Sequence, residues 1–253
     1  MKTKITRDNP FYETPNFAFG YEQIKDGKDG LRLLDYGCFD AQFGKKLLLN
    51  KRVDYFGVDK NAEIIARQGT VLQVSLATDP LSFPDDYFDV IVIFEVLEHI
   101  NDQESTLKEL CRVLKSDGTL ILSVPRKHCW SFLDLANWKF MFPKLHKVYY
   151  QVSHSEDEYN YRYKNSPHGL VGDIEKEKAW HQHFRDEEIF ALLDRSGFSV
   201  KTIDGSGFFR LPVIGLGYIF RIPWLFPRKF HDWDSYKFAS AQLLCSAGKG
   251  LST

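Results

Sequence analysis

Two carboxylates and a glycine give the first chemical signal in the chain. Asp35 closes the apolar run Leu31-Arg-Leu-Leu34 and is followed by Tyr36, Gly37 and Cys38, while Asp59 closes a second run, Val53-Asp-Tyr-Phe-Gly-Val58. Open parallel sheets bind their ligands beyond the carboxyl ends of the strands, which is where both acids stand. Gly37 lets the backbone turn sharply and lets a ligand come close. Asp59 lies about twenty residues beyond that glycine, the spacing at which a carboxylate accepts hydrogen bonds from both ribose hydroxyls of an adenosine-containing cofactor. Each piece alone has a plainer reading, a turn glycine or a helix-capping aspartate. The order and spacing together point to a cofactor.

Histidine is the second supply of chemistry, because its charge changes near neutral pH. His128 follows Pro125, just past an apolar strand pattern, and His181 and His183 flank Gln182. A pair spaced in that way suits a metal, yet no carboxylate stands at ligand spacing in the flanking chain, so no metal is expected. The four cysteines, Cys38, Cys111, Cys129 and Cys245, are scattered without a Cys-x-x-Cys pair. They suggest neither a disulfide framework nor a zinc site.

The elements that must position these groups alternate. Leu31 to Asp35, Val53 to Val58, Val71 to Leu76 and Phe88 to Glu95 read as strands, with a helix from Gln42 to about Leu49, whose first amides face the ligand, and another over Asn61 to Gln68. Helices between apolar strands predict a parallel sheet covered on both faces. Asp102 or Asn101 caps the next helix, where Leu107, Leu110, Cys111 and Leu114 recur at helical spacing. Asp117-Gly118 turns the chain into a fifth strand that Pro125 ends. Later, Asp186 caps a helix carrying Ile189, Leu192 and Leu193, Phe198 to Ile203 forms a strand, and Phe238 to Cys245 forms the last one. Between these lies 126–185, long, aromatic and rich in histidine (His128, His146, His154, His168), with a short helix expected over Phe132 to Phe142. A segment of that length inside a compact domain is usually functional, and it reads as an insertion over an acceptor site.

Four segments carry a family resemblance. Leu34-Asp35-Tyr-Gly37-Cys38, Gly57-Val58-Asp59, the run from Leu81 through Phe94-Glu95-Val-Leu-Glu98-His99, and Glu109 to Pro125 together resemble the class I S-adenosylmethionine-dependent methyltransferases over about residues 30 to 125. The resemblance implies a three-layer α/β Rossmann-like sandwich whose seven-stranded sheet is mostly parallel with the last strand antiparallel. It implies S-adenosylmethionine as cofactor and S-adenosylhomocysteine as product. Asp35 would orient the methionine part, the backbone at Gly37 and Cys38 would approach it, Asp59 would hold the ribose, and Lys60 would lie beside the adenine. Phe94 and Glu95 would border the methionine amino group. Where the family usually has an acid facing the adenine, this chain has Ala77, and Thr78 or Asp79 is the substitute. Phe39 stands where the family often has glycine, a departure that costs roughly 1–2 kcal/mol if the backbone keeps a positive φ.

Methyl transfer from a sulfonium is an in-line displacement that needs alignment and exclusion of water rather than a covalent nucleophile. A hydroxyl acceptor would also need a base, for which His128 is the first candidate and His181 and His183 the next. The expected acceptor is a small molecule, a sugar or a lipid-linked group, methylated at oxygen. A rival reading, a catalytically silent binding or scaffold protein on the same fold, rests on Phe39 and Ala77.

Domain organisation follows: 1–29 as an aromatic N-terminal segment, with Tyr12 and Tyr21 as lid contacts or as rings packed on the sheet edge, and 30–253 as the methyltransferase domain. The 253 residues, 43% hydrophobic, suffice for a full core. With 33 basic and 34 acidic residues and no basic run, nothing favours nucleic acid as partner. The N-terminus lacks the apolar core of a signal peptide, so a reducing cytoplasm is expected. The apolar stretch Leu211 to Phe226, broken by Pro212, Arg221 and Pro223, is too short to span a bilayer. It reads as a pocket wall, as a membrane-surface contact over 211–229 with Arg228 and Lys229, or as a homodimer contact, in that order.

Overall fold

The computed structural model describes residues 5–24, 30–60, 73–134, 137, 142–160, 181–209, 212–213 and 228–250. Its elements, in chain order, are α1 (Pro15–Gln23), β1 (Arg32–Tyr36), α2 (Gln42–Leu47), β2 (Asp54–Asp59), β3 (Gln73–Leu76), β4 (Phe88–Phe94), α3 (Gln103–Val113) and β5 (Leu114–Pro125). Then come α4 (Pro143–Gln151), α5 (Glu156–Asn160), α6 (Asp186–Arg195), β6 (Phe198–Ser206), α7 (Arg228–Lys237) and β7 (Gln242–Lys249). The seven strands form one sheet in the order β3-β2-β1-β4-β5-β7-β6. Strands β1 to β5 pair in parallel, and β7 runs antiparallel to both of its neighbours, β5 and β6. This is the α/β sandwich expected.

The strands read as continuous apolar runs because both faces of the sheet are covered and side chains alternate between them. Leu34, Ile91, Ile93, Leu120 and Leu122 pack with Leu107, Leu110, Ile189 and Leu193 of α3 and α6. Their neighbours Leu33, Val90, Val92 and Ile121 point the other way, onto Phe11, Ala18, Phe19 and Phe43 of the N-terminal segment and α2. Asp102 caps α3 by accepting the Ser105 N–H at 3.0 Å.

The N-terminal segment is built into the core. Phe11 and Phe19 are buried, and the rings of Phe11, Phe17, Phe43 and Phe94 stand 5.1 to 6.0 Å apart in one cluster. Burying one such ring contributes about 2–3 kcal/mol. α1 can approach β4 this closely because Gly20 faces Phe94: a Cβ there would stand 2.6 Å from the ring. Tyr21 packs on Phe11, while Tyr12 stacks on Tyr236 of α7 at 4.6 Å and its carbonyl accepts the Tyr236 hydroxyl.

Two sequence expectations need correction. The last strand is β7, Gln242–Lys249, not Phe238 to Cys245. Phe238 closes α7, its N–H donating to the Asp234 carbonyl, and the chain reaches the sheet only after Ala239 has bridged Gly207. Helix α7 itself was unforeseen; its buried Asp234 fixes it by accepting the N–H groups of Phe208 and Phe209, each at 3.0 Å. Asp186 opens α6 without capping it; the carboxylate instead grips the Arg126 guanidinium through two hydrogen bonds of 2.6 and 2.5 Å. The helix over Asn61 to Gln68 and most of Leu211 to Phe226 lie outside the described residues, as does most of Phe132 to Phe142, where Ser131–Leu133 forms a 3-10 turn. No helix among the described residues is long and apolar enough to cross a membrane.

Candidate active site

Three carboxylates converge at the carboxyl ends of β1, β2 and β4. Asp35 is 4% exposed and accepts the Tyr55 hydroxyl at 2.7 Å. Burial pushes its pKa from 3.8 up to about 7, the Tyr55 hydrogen bond pulling the other way and the Asp59 charge adding to the rise. Asp59 accepts the Phe39 N–H at 2.9 Å, so the second strand's carboxylate is locked to the loop after the first. Glu95 accepts the Ser123 hydroxyl and the Gln242 amide, both at 2.8 Å. Behind them, Ser206 donates to the Gln242 side chain at 2.8 Å, and Asn16 reaches Ser123 at 3.4 Å. Strands β4, β5, β6 and β7 and helix α1 thus all hold one carboxylate in place.

The loop between β1 and α2 keeps the left-handed backbone that glycine usually supplies. Phe39 has φ 47° and Ala41 φ 55°, and Glu95, across the site, has φ 54°. Strained non-glycine residues gather at functional sites because surrounding contacts hold them there. Here the bond from the Phe39 N–H to Asp59 is one of those contacts. Phe39 is 56% exposed. Gly37 has φ +75°, and a Cβ on it would lie 2.4 Å from Val96 Cγ2, so both conformation and space require glycine. The N–H groups of Gly37 and Cys38 both donate to the Val58 carbonyl. They therefore offer a cofactor close approach rather than donors.

The other expected contacts are less direct. Lys60 is exposed just past the end of β2. The Ala77 N–H donates to the Asp59 carbonyl, and the Thr78 hydroxyl is turned to the Pro80 carbonyl at 2.8 Å and the Ser82 hydroxyl at 3.2 Å. The Phe94 ring belongs to the aromatic cluster under α1, leaving its backbone to border the site.

Beyond β5 the three candidate histidines gather. The segment 181–184 joins the sheet end: Phe184 N–H donates to the Pro125 carbonyl at 2.9 Å and Lys127 N–H to the Phe184 carbonyl at 2.7 Å. His128 donates its N–H to the Ser131 hydroxyl and holds Nδ1 3.0 Å from it, while Nε2 is buried with no hydrogen-bond partner. Burial lowers its pKa, and the nearby His183 adds to that, so the ring is neutral at pH 7. Its wall is aromatic, with Phe208 and Trp130 in edge contact. His181 and His183 both meet Asp134 Oδ2, at 2.7 Å from Nδ1 and Nε2 respectively. Asn137 clamps the His181 backbone, accepting its N–H at 2.9 Å and donating to its carbonyl at 3.0 Å. Glu98, fully buried in the 3-10 turn after β4, lies 3.6 Å from His181 Nε2, and burial pushes its pKa up to about 7.

The sequence reading missed Glu98 and Asp134 as partners of the histidine pair. It sought carboxylates in the flanking chain, whereas Asp134 is 47 residues from His181 and Glu98 lies further still. The fold supplies the acids that the flanks lack, so the reason for expecting no metal does not hold.

A family model described as a methyltransferase domain matches residues 13–203, most of the chain. The chain belongs to that family. The methyltransferase is 32% identical over 105 residues to the ubiquinone/menaquinone biosynthesis C-methyltransferase UbiE of Neisseria meningitidis, a match covering 38% of this chain and 43% of that protein. The chain thus spans under half the length of that curated relative. Its fold is shared with an S-adenosylmethionine dependent methyltransferase from Mesorhizobium loti (TM-score 0.55, 16% identity, 94% of this chain and 100% of that one). It is shared too with the 1,6-didemethyltoxoflavin-N1-methyltransferase of Burkholderia thailandensis, solved with S-adenosylhomocysteine (TM-score 0.53, 13% identity, 96% and 80%). The family's cofactor is S-adenosylmethionine. The donor set of this methyltransferase fits it: carboxylates at three adjacent strand ends suit a diol, an ammonium and a sulfonium.

Proposed function

We propose that this methyltransferase moves the S-adenosylmethionine methyl group to a hydroxyl oxygen of a small-molecule, sugar or lipid-linked acceptor, with His128 as the base. One observation carries the reading: His128 presents a neutral ring whose buried Nε2 has no hydrogen-bond partner, just past the carboxyl end of β5. A buried nitrogen without a partner is costly unless something docks against it. An acceptor hydroxyl would donate to that nitrogen, and as its oxygen attacks the methyl carbon in line with the carbon–sulfur bond, the proton passes to Nε2.

Asp59 would receive the ribose hydroxyls, with its plane fixed by the Phe39 N–H. Glu95, held by Ser123 and Gln242, would face the methionine ammonium, and Asp35 would orient the methionine part from the end of β1. Lys60, Thr78 and Cys38 complete the proposed cofactor contacts. The aromatic wall of Trp130 and Phe208 favours an acceptor with an apolar face. The soluble cytoplasm, a membrane-surface contact through 211–229 and a homodimer remain part of the proposal.

The test is a panel of hydroxylated acceptors with isotopically labelled methyl donor, resolved by NMR of the product. Methyl label on oxygen, with turnover falling about 100-fold in His128→Ala while cofactor affinity is kept, is expected. Label on carbon or nitrogen, or an unchanged rate in the variant, would overturn it. Asp59→Ala should weaken cofactor binding by calorimetry, and equal affinity would refute its ribose role.

A further inference from the structure

Five ionisable side chains meet where the turn after β4 touches the strap 181–183: Glu98, His99, His181, Asp134 and His183. Two groups of three bring ligand-type atoms within 4.8 Å of one another, Glu98 with His99 and His181, and Asp134 with His181 and His183. They are not equivalent. In the second group both contacts are 2.7 Å, ordinary charge-assisted hydrogen bonds into one carboxylate oxygen, and a metal ion would have to break both. In the first, Glu98 Oε1 lies 3.6 Å from His181 Nε2 and 3.9 Å from His99 Nε2. Those separations are too long for hydrogen bonds but close to the edge of a tetrahedron around one ion, about 3.4 Å for ligands at about 2.1 Å.

Glu98 points to what is missing. The side chain is 0% exposed, and neither carboxylate oxygen has a hydrogen-bond partner. A carboxylate taken wholly out of water needs a cation or a set of donors. The neighbouring Glu95 adds negative charge and no donor.

We propose that Glu98, His99 and His181 form a binding site for one divalent transition-metal ion, with Asp134 as the outer carboxylate that orients His181. Asp134 accepts the Nδ1–H of His181, which turns the Nε2 lone pair toward Glu98 and His99. A carboxylate behind a metal-bound histidine is the usual means of fixing its tautomer. His183 holds Asp134 from the other side, and Asn137 fixes the His181 backbone, so the ligand is positioned before the ion arrives. Two imidazoles and one carboxylate select zinc, manganese or iron(II) over magnesium, which prefers oxygen alone. Ion binding at Nε2 displaces the proton that would otherwise make His181 an imidazolium between two acids, so the competing arrangement is a metal-free salt bridge. The site stands apart from the acceptor reading, and its test needs no substrate.

Untagged protein, stripped with chelator, is titrated with Zn2+, Mn2+ and Mg2+ by calorimetry, with the thermal midpoint followed in parallel. One Zn2+ or Mn2+ per chain, a raised midpoint and weaker Mg2+ binding are expected. Glu98→Gln, which keeps the shape, and His99→Asn should each weaken Zn2+ binding at least tenfold, and Asp134→Asn by roughly 10- to 100-fold. His154→Asn, in the turn between α4 and α5, should leave it unchanged. Cobalt(II) should give visible absorption bands of a low-coordinate site in the wild type and lose them in Glu98→Gln. No stoichiometric binding to folded wild-type protein, or affinity equal to wild type in both Glu98→Gln and His99→Asn, would overturn the site in favour of the salt bridge.

Discussion

Replacing Asp35 by asparagine should make the protein more stable and less able to bind its cofactor. The carboxyl is 4% exposed, and its pKa in the folded protein is about 7 against an ordinary 3.8. Between those values the folded protein holds a proton that the unfolded chain has released, so stability falls as pH rises through this window. Above pH 7 the opposing contribution is complete and amounts to about 4 kcal/mol, taking about 1.4 kcal/mol per unit. Asparagine has nearly the same shape, still accepts the Tyr55 hydroxyl and never ionises. Urea denaturation should therefore find Asp35→Asn more stable by about 4 kcal/mol at pH 8 and by less than about 2 kcal/mol at pH 5, where the wild-type group is largely protonated. Calorimetry with S-adenosylmethionine should show affinity weakened by at least about tenfold, the worth of a charged hydrogen bond. A variant no more stable than wild type at pH 8, or a difference that fails to shrink on acidification, would refute burial as the cause of the shift.

Three further substitutions test the loop and the sheet end. Gly37→Ala should cost about 2–4 kcal/mol, because the new Cβ meets Val96 Cγ2 at 2.4 Å in a left-handed backbone; adding Val96→Ala should restore the steric part in a denaturation double-mutant cycle. Phe39→Gly should be neutral or up to about 1 kcal/mol stabilising, since it relieves φ 47° at an exposed side chain, and cofactor affinity by calorimetry should be kept. Arg126→Ala should cost about 1–2 kcal/mol in urea, since it frees Asp186 and loosens α6 from the end of β5; Arg126→Lys should recover little, having no planar fork for two parallel bonds.

What the sequence could reveal depended on distance along the chain. Asp35, Gly37 and Asp59 were legible because strand, turn and acid are written consecutively, and parallel pairing of β1 with β2 places Asp35 beside Gly57 without help from elsewhere. The apolar runs likewise announced a sheet buried on both faces. Other features depend on contacts between remote residues and left no local signal. Glu98 looks like one acid in a helical turn until segment 181–184 pairs beside Pro125 and brings His181 to it. Helix α7 went unseen because RKFHDWDSYK is largely polar, and its placement depends on Asp234 meeting two amides of 208–209. Phe39 was legible as a departure but not as a consequence, since only the structure shows its amide tied to Asp59.

The sheet order has a temporal side. Because β7 lies between β5 and β6, β6 has no neighbour of its own until residues 242–249 arrive. During synthesis on the ribosome, residues 198–206 must wait as an unpaired ribbon while the open flank of β5 waits beside them, both prone to stick to other nascent chains. Late insertion of one short segment then seals two edges at once and draws Gln242 up to Glu95, so the pocket is finished only when the sheet is.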